Sequence, residues 1–311
     1  MASLAGKTLF VTGGSRGIGL AIAKRAARDG ANVVLAAKTA EPHPTLPGTI
    51  HTAARECEEA GGNALAVQLD VLDDDNLERA IAQAVDHFGG IDVLVNNASA
   101  IDNSGTLGVK AKKYALMHGI NARGTFWTSK LALPHLLESA KKGRNPHVLN
   151  LSPPLDMDPR WFKMGGVAYT MAKYNMSMCA LGMAEEFRDD GVAFNCLWPR
   201  TAIATAAIEM LAGEMGMKAS RSVDIMSDAA HWILTADGGE VTGNCFIDDV
   251  IMTEKLGLSE KDLDKYREHQ GLLPVPLMPD FYVGDPADLE VYVDTARKAS
   301  GLVGSFMKKF R

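Results

Sequence analysis

The stretch "TLFVTGGSRGIG", residues 8–19, decides how the chain is read. A short apolar run ends in a glycine cluster, and "IGLAIAKRAARDG" at 18–30 then carries a helical pattern that stops at Gly30 as a helix C-cap would. A strand passing through glycines into a helix aims unpaired backbone N–H groups at one spot, where the helix dipole favours an anion. Gly13, Gly17 and Gly19 allow a tight turn and let backbone approach a pyrophosphate. A glycine cluster alone is a common flexible turn. At the start of a βαβ unit it points to nucleotide binding, and Ser15, Arg16 and Ile18 of the same turn are expected to share that contact.

Outward from that turn, apolar runs alternate with helical patterns as far as residue 247. The runs are "TLFVT", "NVVLAA", "ALAVQL", "IDVLVN", "HVLNL", "VAFNCL" and "GNCFID". They are nearly continuous in apolar residues rather than alternating, as strands buried on both faces of a parallel sheet are. Between them lie helices such as "DDDNLERAIAQAVDHFGG" at 73–90, with acids in its first turn and glycines after its last. This order predicts an α/β fold of Rossmann type, a doubly wound parallel sheet of about seven strands with helices on both faces. Residues 1–250 form one catalytic nucleotide-binding domain on this reading. Residues 251–311 hold two helical patches and a proline-rich connector, "GLLPVPLMPDF", and are expected to pack as an extension on the core or on a neighbouring subunit. Residues 41–48, "EPHPTLPG", make a stiff loop after the second strand.

Bulk properties narrow the function. The chain has 311 residues and a formal net charge of −6, which argues against nucleic acid or an anionic membrane as main partner. The basic clusters "KAKK" at 110–113 and "KKGR" at 141–144 read as solvated helix ends. No 18-residue apolar run is present, so no membrane insertion is expected. The N-terminus carries no signal-peptide pattern and "FMKKFR" is no targeting signal, so a cytoplasmic protein is expected. Cys57, Cys179, Cys196 and Cys245 are scattered and form no CxxC pair, which fits reduced thiols. No histidine or carboxylate spacing suggests a metal.

Charge also bears on which nucleotide binds. A site for NAD usually places an acid at the end of the second strand. Here that strand ends "LAAKT", with Lys38 and no carboxylate before Glu41. Lys38 and Arg16 converging on the ribose favour a 2′-phosphate, so NADP(H) is the expected cofactor. As ordinary solvated charges they would carry no such meaning.

"AYTMAKYNMSMCALGMAEEF" at 168–187 is a long helical pattern in which Tyr169 and Lys173 share one face. A phenol with a pKa of about 10 is a poor acid–base group near neutrality. A neighbouring ammonium stabilises the phenolate, and the pair sits after the fifth strand, where a doubly wound sheet presents its ligand crevice. Ser152 ends that strand in "NLSPPLD", where two prolines stop the ladder. It is read as the strand-tip hydroxyl that orients a substrate carbonyl, against the alternative of a turn residue.

With these residues in place, residues 5 to about 250 resemble the short-chain dehydrogenase/reductase family. The matches are "TGGSRGIG", "LDV" at 69–71, "NNAS" at 96–99, "NARGTF" at 121–126, "YTMAK" at 169–173 and "NCLWP" at 195–199, in that order. "LNLSPP", "MAEEF" and "LWPRTAIATAA" are similar to its hydroxysteroid-dehydrogenase-like branch, some of whose members add a sterol-carrier domain; the roughly 60 residues after the core are too few for one. The resemblance implies that Tyr169 exchanges a proton with the substrate oxygen, Lys173 lowers its pKa and holds the nicotinamide ribose, and Asn121 extends a proton relay through water. It implies that Asp70 and Val71 meet the adenine, Asn97 and Ala98 flank the cofactor at the fourth strand, and Thr201 meets the carboxamide after Pro199. Asn121 as a packing amide and Asn97 as a strand-end turn residue stay open.

The chain also departs from the pattern. Pro153 stands where the family's catalytic serine commonly follows another, and seventeen residues separate Ser152 from Tyr169. "DMDPRWFK" therefore reads as an inserted loop over the site, and Ser99 and Arg200 replace usual glycines. Arg200 would pair with an acidic substrate or the cofactor, or else make a surface salt bridge. Trp161, Phe162, Ile203, Met210, Met215 and Met217 suggest an apolar pocket for a lipid- or steroid-like carbonyl, and equally a lid that packs on itself. The expected function is an NADP(H)-dependent oxidoreductase acting on a small-molecule alcohol or carbonyl, assembled as a homodimer or homotetramer. The alternative is a cofactor-binding scaffold or redox-sensing partner with little turnover.

Overall fold

Each of the seven apolar runs is a strand in the computed structural model, which describes residues 2–271 and 275–300. They are β1 (Thr8–Thr12), β2 (Asn32–Ala37), β3 (Asn63–Gln68), β4 (Val93–Asn96), β5 (His147–Asn150), β6 (Ala193–Trp198) and β7 (Asn244–Ile247). All pairings are parallel, in the order β3-β2-β1-β4-β5-β6-β7, so the winding reverses between β1 and β4. Successive residues of a strand feed opposite layers. Leu9 and Val11 pack on one face, with Ile22 and Ala26 of α1 (Gly17–Ala27) and Ile225 and Ile233 of α9 (Asp224–Thr235). Phe10 packs on the other, with Leu77 of α3 (Asp74–Phe88), Leu136 of α5 (Thr125–Lys141) and Ala180 of α7 (Val167–Glu186).

Local chemistry sets the helix ends. Asp73 caps α3 by accepting from Asn76 N–H at 2.9 Å, and Gly89 closes it in the left-handed conformation. Helix α1 stops earlier than its glycine suggested. It ends at Ala27, and Gly30, at φ +85°, belongs to the turn that leads into β2. The remaining helices are α2 (Ile50–Glu59), α4 (Ala111–Met117), α6 (Pro159–Gly165), α8 (Ala206–Lys218), the single turn α10 (Asp248–Val250) and α11 (Pro286–Ser300). No described helix is long and apolar enough to cross a membrane.

The "KKGR" cluster is not wholly solvated. Arg144 donates through Nε and an Nη to the Asp92 carboxylate, both at 2.7 Å, while Thr8 N–H and Ser139 Oγ complete that carboxylate's partners at the base of β1 and β4. Beyond α10 the chain makes one π-helical turn, Ile251–Lys255, and one 3₁₀ turn, Glu260–Tyr266. It then returns to the carboxyl ends of the strands. Ala202 N–H donates to Met278 O and Asp280 N–H to Arg200 O, at 2.8 and 3.0 Å, so residues 278–280 run antiparallel beside 200–202 through one isolated bridge. Part of the proline-rich connector, residues 272–274, and the last stretch of the final helical patch, residues 301–311, lie outside the described residues.

Candidate active site

The glycine turn sits at the carboxyl end of β1, beside the reversal in strand order. Gly13 adopts φ +66°, which favours glycine, and Asn97 from the end of β4 holds the turn by donating to Thr12 O and Gly13 O at 2.9 and 3.0 Å. A Cβ on Gly19 would lie 2.5 Å from that same Asn97 amide. This third glycine therefore serves close packing of α1 on β4. Asn97 is a latch on the turn, close to the plainer of its two readings, and Ala98 N–H is tied to Thr12 Oγ1 at 3.1 Å. The start of α1, with Arg16 at its N-cap and no side chain capping it, is free to meet an anion.

Near the ends of β2 and β3, the two cations are engaged with protein. Arg16 donates to the carbonyls of Pro47 and Gly48 at 2.8 and 3.1 Å, which ties the stiff 41–48 loop to the glycine turn. Lys38 pairs with Asp70 at 2.6 Å, and Asp70 also accepts Leu72 N–H. Burial would raise the Asp70 carboxyl, but the Lys38 ammonium and that amide hold it below the usual range. Val71 is buried beside this pair.

Tyr169 and Lys173, on α7, and Ser152, at the tip of β5, are all buried. Lys173 Nζ donates to Leu151 O at 2.8 Å and lies 5.1 Å from the centre of the Trp198 ring. Burial pushes the Lys173 ammonium down to about 7, while Asp280 and Cys196 act to raise it. The expected lowering of the Tyr169 phenol is not seen. Burial raises it well above 10, and Tyr282 and Asp280 push the same way. The physical reason is the cover above it, where α6, Trp198 and the returning C-terminal segment bury the phenol among aromatic rings. Ser152 Oγ is fully buried and has no oxygen or nitrogen partner among the described residues, its polar neighbour being the thiol of Cys196 on β6, a weak partner. Thr201 Oγ1, after Pro199, is likewise buried and unpartnered. Two orphaned hydroxyls at the strand ends suit a polar ligand, because each costs free energy until it is bonded.

Asn121 lies in a π-helical turn, His118–Gly124, and its amide is spent on the backbone of Ala100, which it meets as donor and acceptor at 2.9 Å. Its side chain is thus the packing amide of the plainer reading, and only its backbone is left for a relay. The inserted loop forms α6, with Trp161 fully buried and its indole donating to Asp156 at 2.9 Å. Ile203 is buried too, while Met210 and Met215 are exposed. Arg200 takes the ion-pair role, meeting Asp249 at 2.5 Å. Cys196 and Cys245 are register partners on β6 and β7, which their scattered positions in the sequence do not show.

Two residues at this site carry no signal of their own in the sequence. Tyr282 is buried, its hydroxyl 3.0 Å from Thr170 Oγ1 and its ring against Trp161, Tyr174 and Trp198. Asp280 precedes it in the same segment, and burial pushes its carboxyl up to about 7, with Asp248 adding to the rise. Asp280 lies in the proline-rich connector and Tyr282 just after it, in a stretch without periodicity.

Comparison with known proteins agrees with this geometry. The short chain dehydrogenase family model matches residues 7–213. Hydroxysteroid dehydrogenase-like protein 2 of Danio rerio is 56% identical over 292 residues, covering 94% of this chain and 67% of that protein. The Homo sapiens protein of that name is 50% identical, covering 91% of this chain and 64% of that protein. The chain thus spans about two thirds of the length of these relatives. A short chain dehydrogenase structure from Mycobacterium thermoresistibile is 49% identical, with TM-score 0.82, covering 91% and 97% of the two chains. An NADH-dependent reductase, A1-R', solved with NAD, is 26% identical with TM-score 0.64, covering 78% of this chain and 95% of its own. The chain belongs to the short-chain dehydrogenase family, in the branch of the hydroxysteroid-dehydrogenase-like proteins, and is accordingly an oxidoreductase that works with a nicotinamide cofactor.

Proposed function

We propose that the chain is an NADP(H)-dependent enzyme that interconverts an alcohol and a carbonyl, with Tyr169 as acid–base group. The observation that carries this reading is the burial of Tyr169 and Lys173 one turn apart on α7, with Lys173 bonded to Leu151 O beside a buried Ser152 hydroxyl that has no oxygen or nitrogen partner among the described residues. When bound, the cofactor supplies or accepts the hydride. The residues of the chain do the rest. Ser152 Oγ donates to the carbonyl oxygen and holds it near the Tyr169 phenol. Burial keeps that phenol neutral in the free chain, the form that donates its proton when a carbonyl is reduced. Lys173 offsets negative charge as the proton leaves, and a water held by the backbone of the π-helical turn at Asn121 would return a proton to the phenolate. Thr201 Oγ1 meets the carboxamide, and the start of α1 meets the pyrophosphate.

Arg16 is the cation placed to meet a 2′-phosphate, with Lys38 beside Asp70 as the second. The Lys38–Asp70 pair is exposed enough that opening it costs about 1 kcal/mol or less. Trp161, Met164, Trp198 and Tyr282 pack with Tyr169 in one apolar cluster, which supports an apolar, lipid- or steroid-like carbonyl as substrate. Phe126 on α5 and Met171, Met178 and Leu181 on one face of α7 are exposed, which supports a homodimer or homotetramer.

The test is a panel of apolar aldehydes and ketones assayed with NADPH and with NADH, wild type against Tyr169→Phe. Turnover that prefers NADPH and falls by about 10² or more in Tyr169→Phe is expected. A preference for NADH sinks the cofactor reading. Cofactor binding without Tyr169-dependent turnover favours the scaffold alternative.

A further inference from the structure

Two carboxylates at the end of β7 hold the loop that follows β6. We propose that Asp249 is a positioning residue, the buried anion that locks residues 200–202 in place and so sets the nicotinamide end of the cofactor site. The contact of Thr201 with the carboxamide rests on the cofactor reading above, whereas the contacts of Asp249 do not.

Strand register brings the partners together. β6 and β7 end side by side with Trp198 opposite Ile247, so the residues that follow leave the sheet as neighbours. Asp248 and Asp249 come next after Ile247, and both are buried. Asp248 Oδ1 accepts the N–H of Arg200 at 2.9 Å and that of Asp249 at 2.8 Å. Asp249 Oδ2 accepts Arg200 Nε at 2.5 Å. Backbone holds the loop further along, where Ala202 N–H donates to Met278 O at 2.8 Å and Arg221 N–H to Ala202 O at 2.9 Å. Thr201 lies between these supports, bridged to Pro279, and its buried hydroxyl has no hydrogen-bond partner among the described residues.

Charge makes Asp249 more than one bond among several. Arg221, just after α8, is buried, and its Nη1 faces the same Asp249 oxygen at 3.6 Å. Arg221 Nε has no hydrogen-bond partner among the described residues. Asp249 is thus shared by two guanidiniums, and a neutral side chain in its place leaves a buried cation without the anion that offsets its desolvation. The Arg200 side chain, 40% exposed, then turns to water, and one of the two ties from this loop to the end of β7 is lost. The glycine turn at β1 lies three strands away along β1-β4-β5-β6, so the adenosine end of the cofactor site does not feel the change.

The test measures, by calorimetry on the full chain, the binding of NADPH and of 2′-phospho-ADP-ribose, which ends before the nicotinamide. In Asp249→Asn the Kd for NADPH should rise about tenfold, while that for the fragment stays within about twofold of wild type. Arg200→Gln should give the same split, and the double variant should bind NADPH no more weakly than either single one, because both remove one contact. Unchanged NADPH binding in folded Asp249→Asn overturns the proposal, as does equal weakening of the fragment or full addition of the two losses. If melting shows that Asp249→Asn does not fold, Arg200→Gln supplies the same comparison. Should the chain prefer NADH, NADH and ADP-ribose take the place of the two probes. Unchanged binding in Thr201→Val refutes the carboxamide contact, and the split in Asp249→Asn still decides the role of Asp249.

Discussion

Replacing Ser152 by alanine should make the protein more stable and less active, and both signs come from one atom. Ser152 Oγ is fully buried at the tip of β5, with no oxygen or nitrogen partner among the described residues and only the Cys196 thiol, a weak partner, beside it. A buried hydroxyl left unbonded costs about 1–3 kcal/mol of desolvation. Alanine keeps the Cβ, removes that cost and leaves a hole of one oxygen, which takes back roughly 1 kcal/mol. The net gain is on the order of 1 kcal/mol, a rise in Tm of about 2–4 °C for a domain of this size. Turnover should fall on the order of 10²-fold, as for loss of a donor aimed at a developing oxyanion. Thermal melts of the chain without cofactor read the first effect, and initial rates of NADPH-dependent carbonyl reduction read the second. A fall in Tm of several degrees would show that the hydroxyl has a partner in the folded chain. A near-wild-type rate would return Ser152 to the status of a turn residue.

Two further outcomes follow from the same structure. His147 is fully buried with Nδ1 unpartnered, and burial holds its imidazole down to about 4. Its folded pKa lies below the unfolded value of about 6.5, so its stabilising contribution is complete above that pH and is lost as pH falls towards 4, by roughly 3 kcal/mol. Asp248 and Asp280, pushed up by burial, titrate with the opposite sign in the same window, so the urea midpoint of His147→Gln must be compared with wild type from pH 7 to 4. An identical slope for both chains would refute the assignment. For the assembly, Met178→Lys together with Leu181→Lys should reduce the mass in light scattering to that of one chain, and a wild type that already scatters as one chain would dispose of the apolar face as an interface.

The architecture was legible in the sequence because a parallel strand covered on both sides has to be apolar throughout. All seven runs became strands, several with boundaries moved by a residue or two, since the last residue of a run is decided by ladder partners. The glycine turn and the Tyr169–Lys173 spacing were legible for a similar reason, because backbone freedom and helix periodicity are local properties. Gly30 misplaced the end of α1 because a left-handed glycine also serves a turn beyond the helix.

What the sequence by itself determined is therefore the doubly wound sheet, the glycine turn at the end of its first strand and a Tyr–Lys pair on one face of α7. Tertiary structure alone decided the state of those groups. It brought Tyr282 onto Thr170 of α7 from more than 100 residues away, engaged Lys38 with Asp70 and Arg144 with Asp92, and left Ser152 Oγ with no oxygen or nitrogen partner among the described residues. Burial and the sign of the nearest charge set a phenol's or an ammonium's acidity. Both are properties of what the folded chain lays across a site, and no local pattern of residues records them.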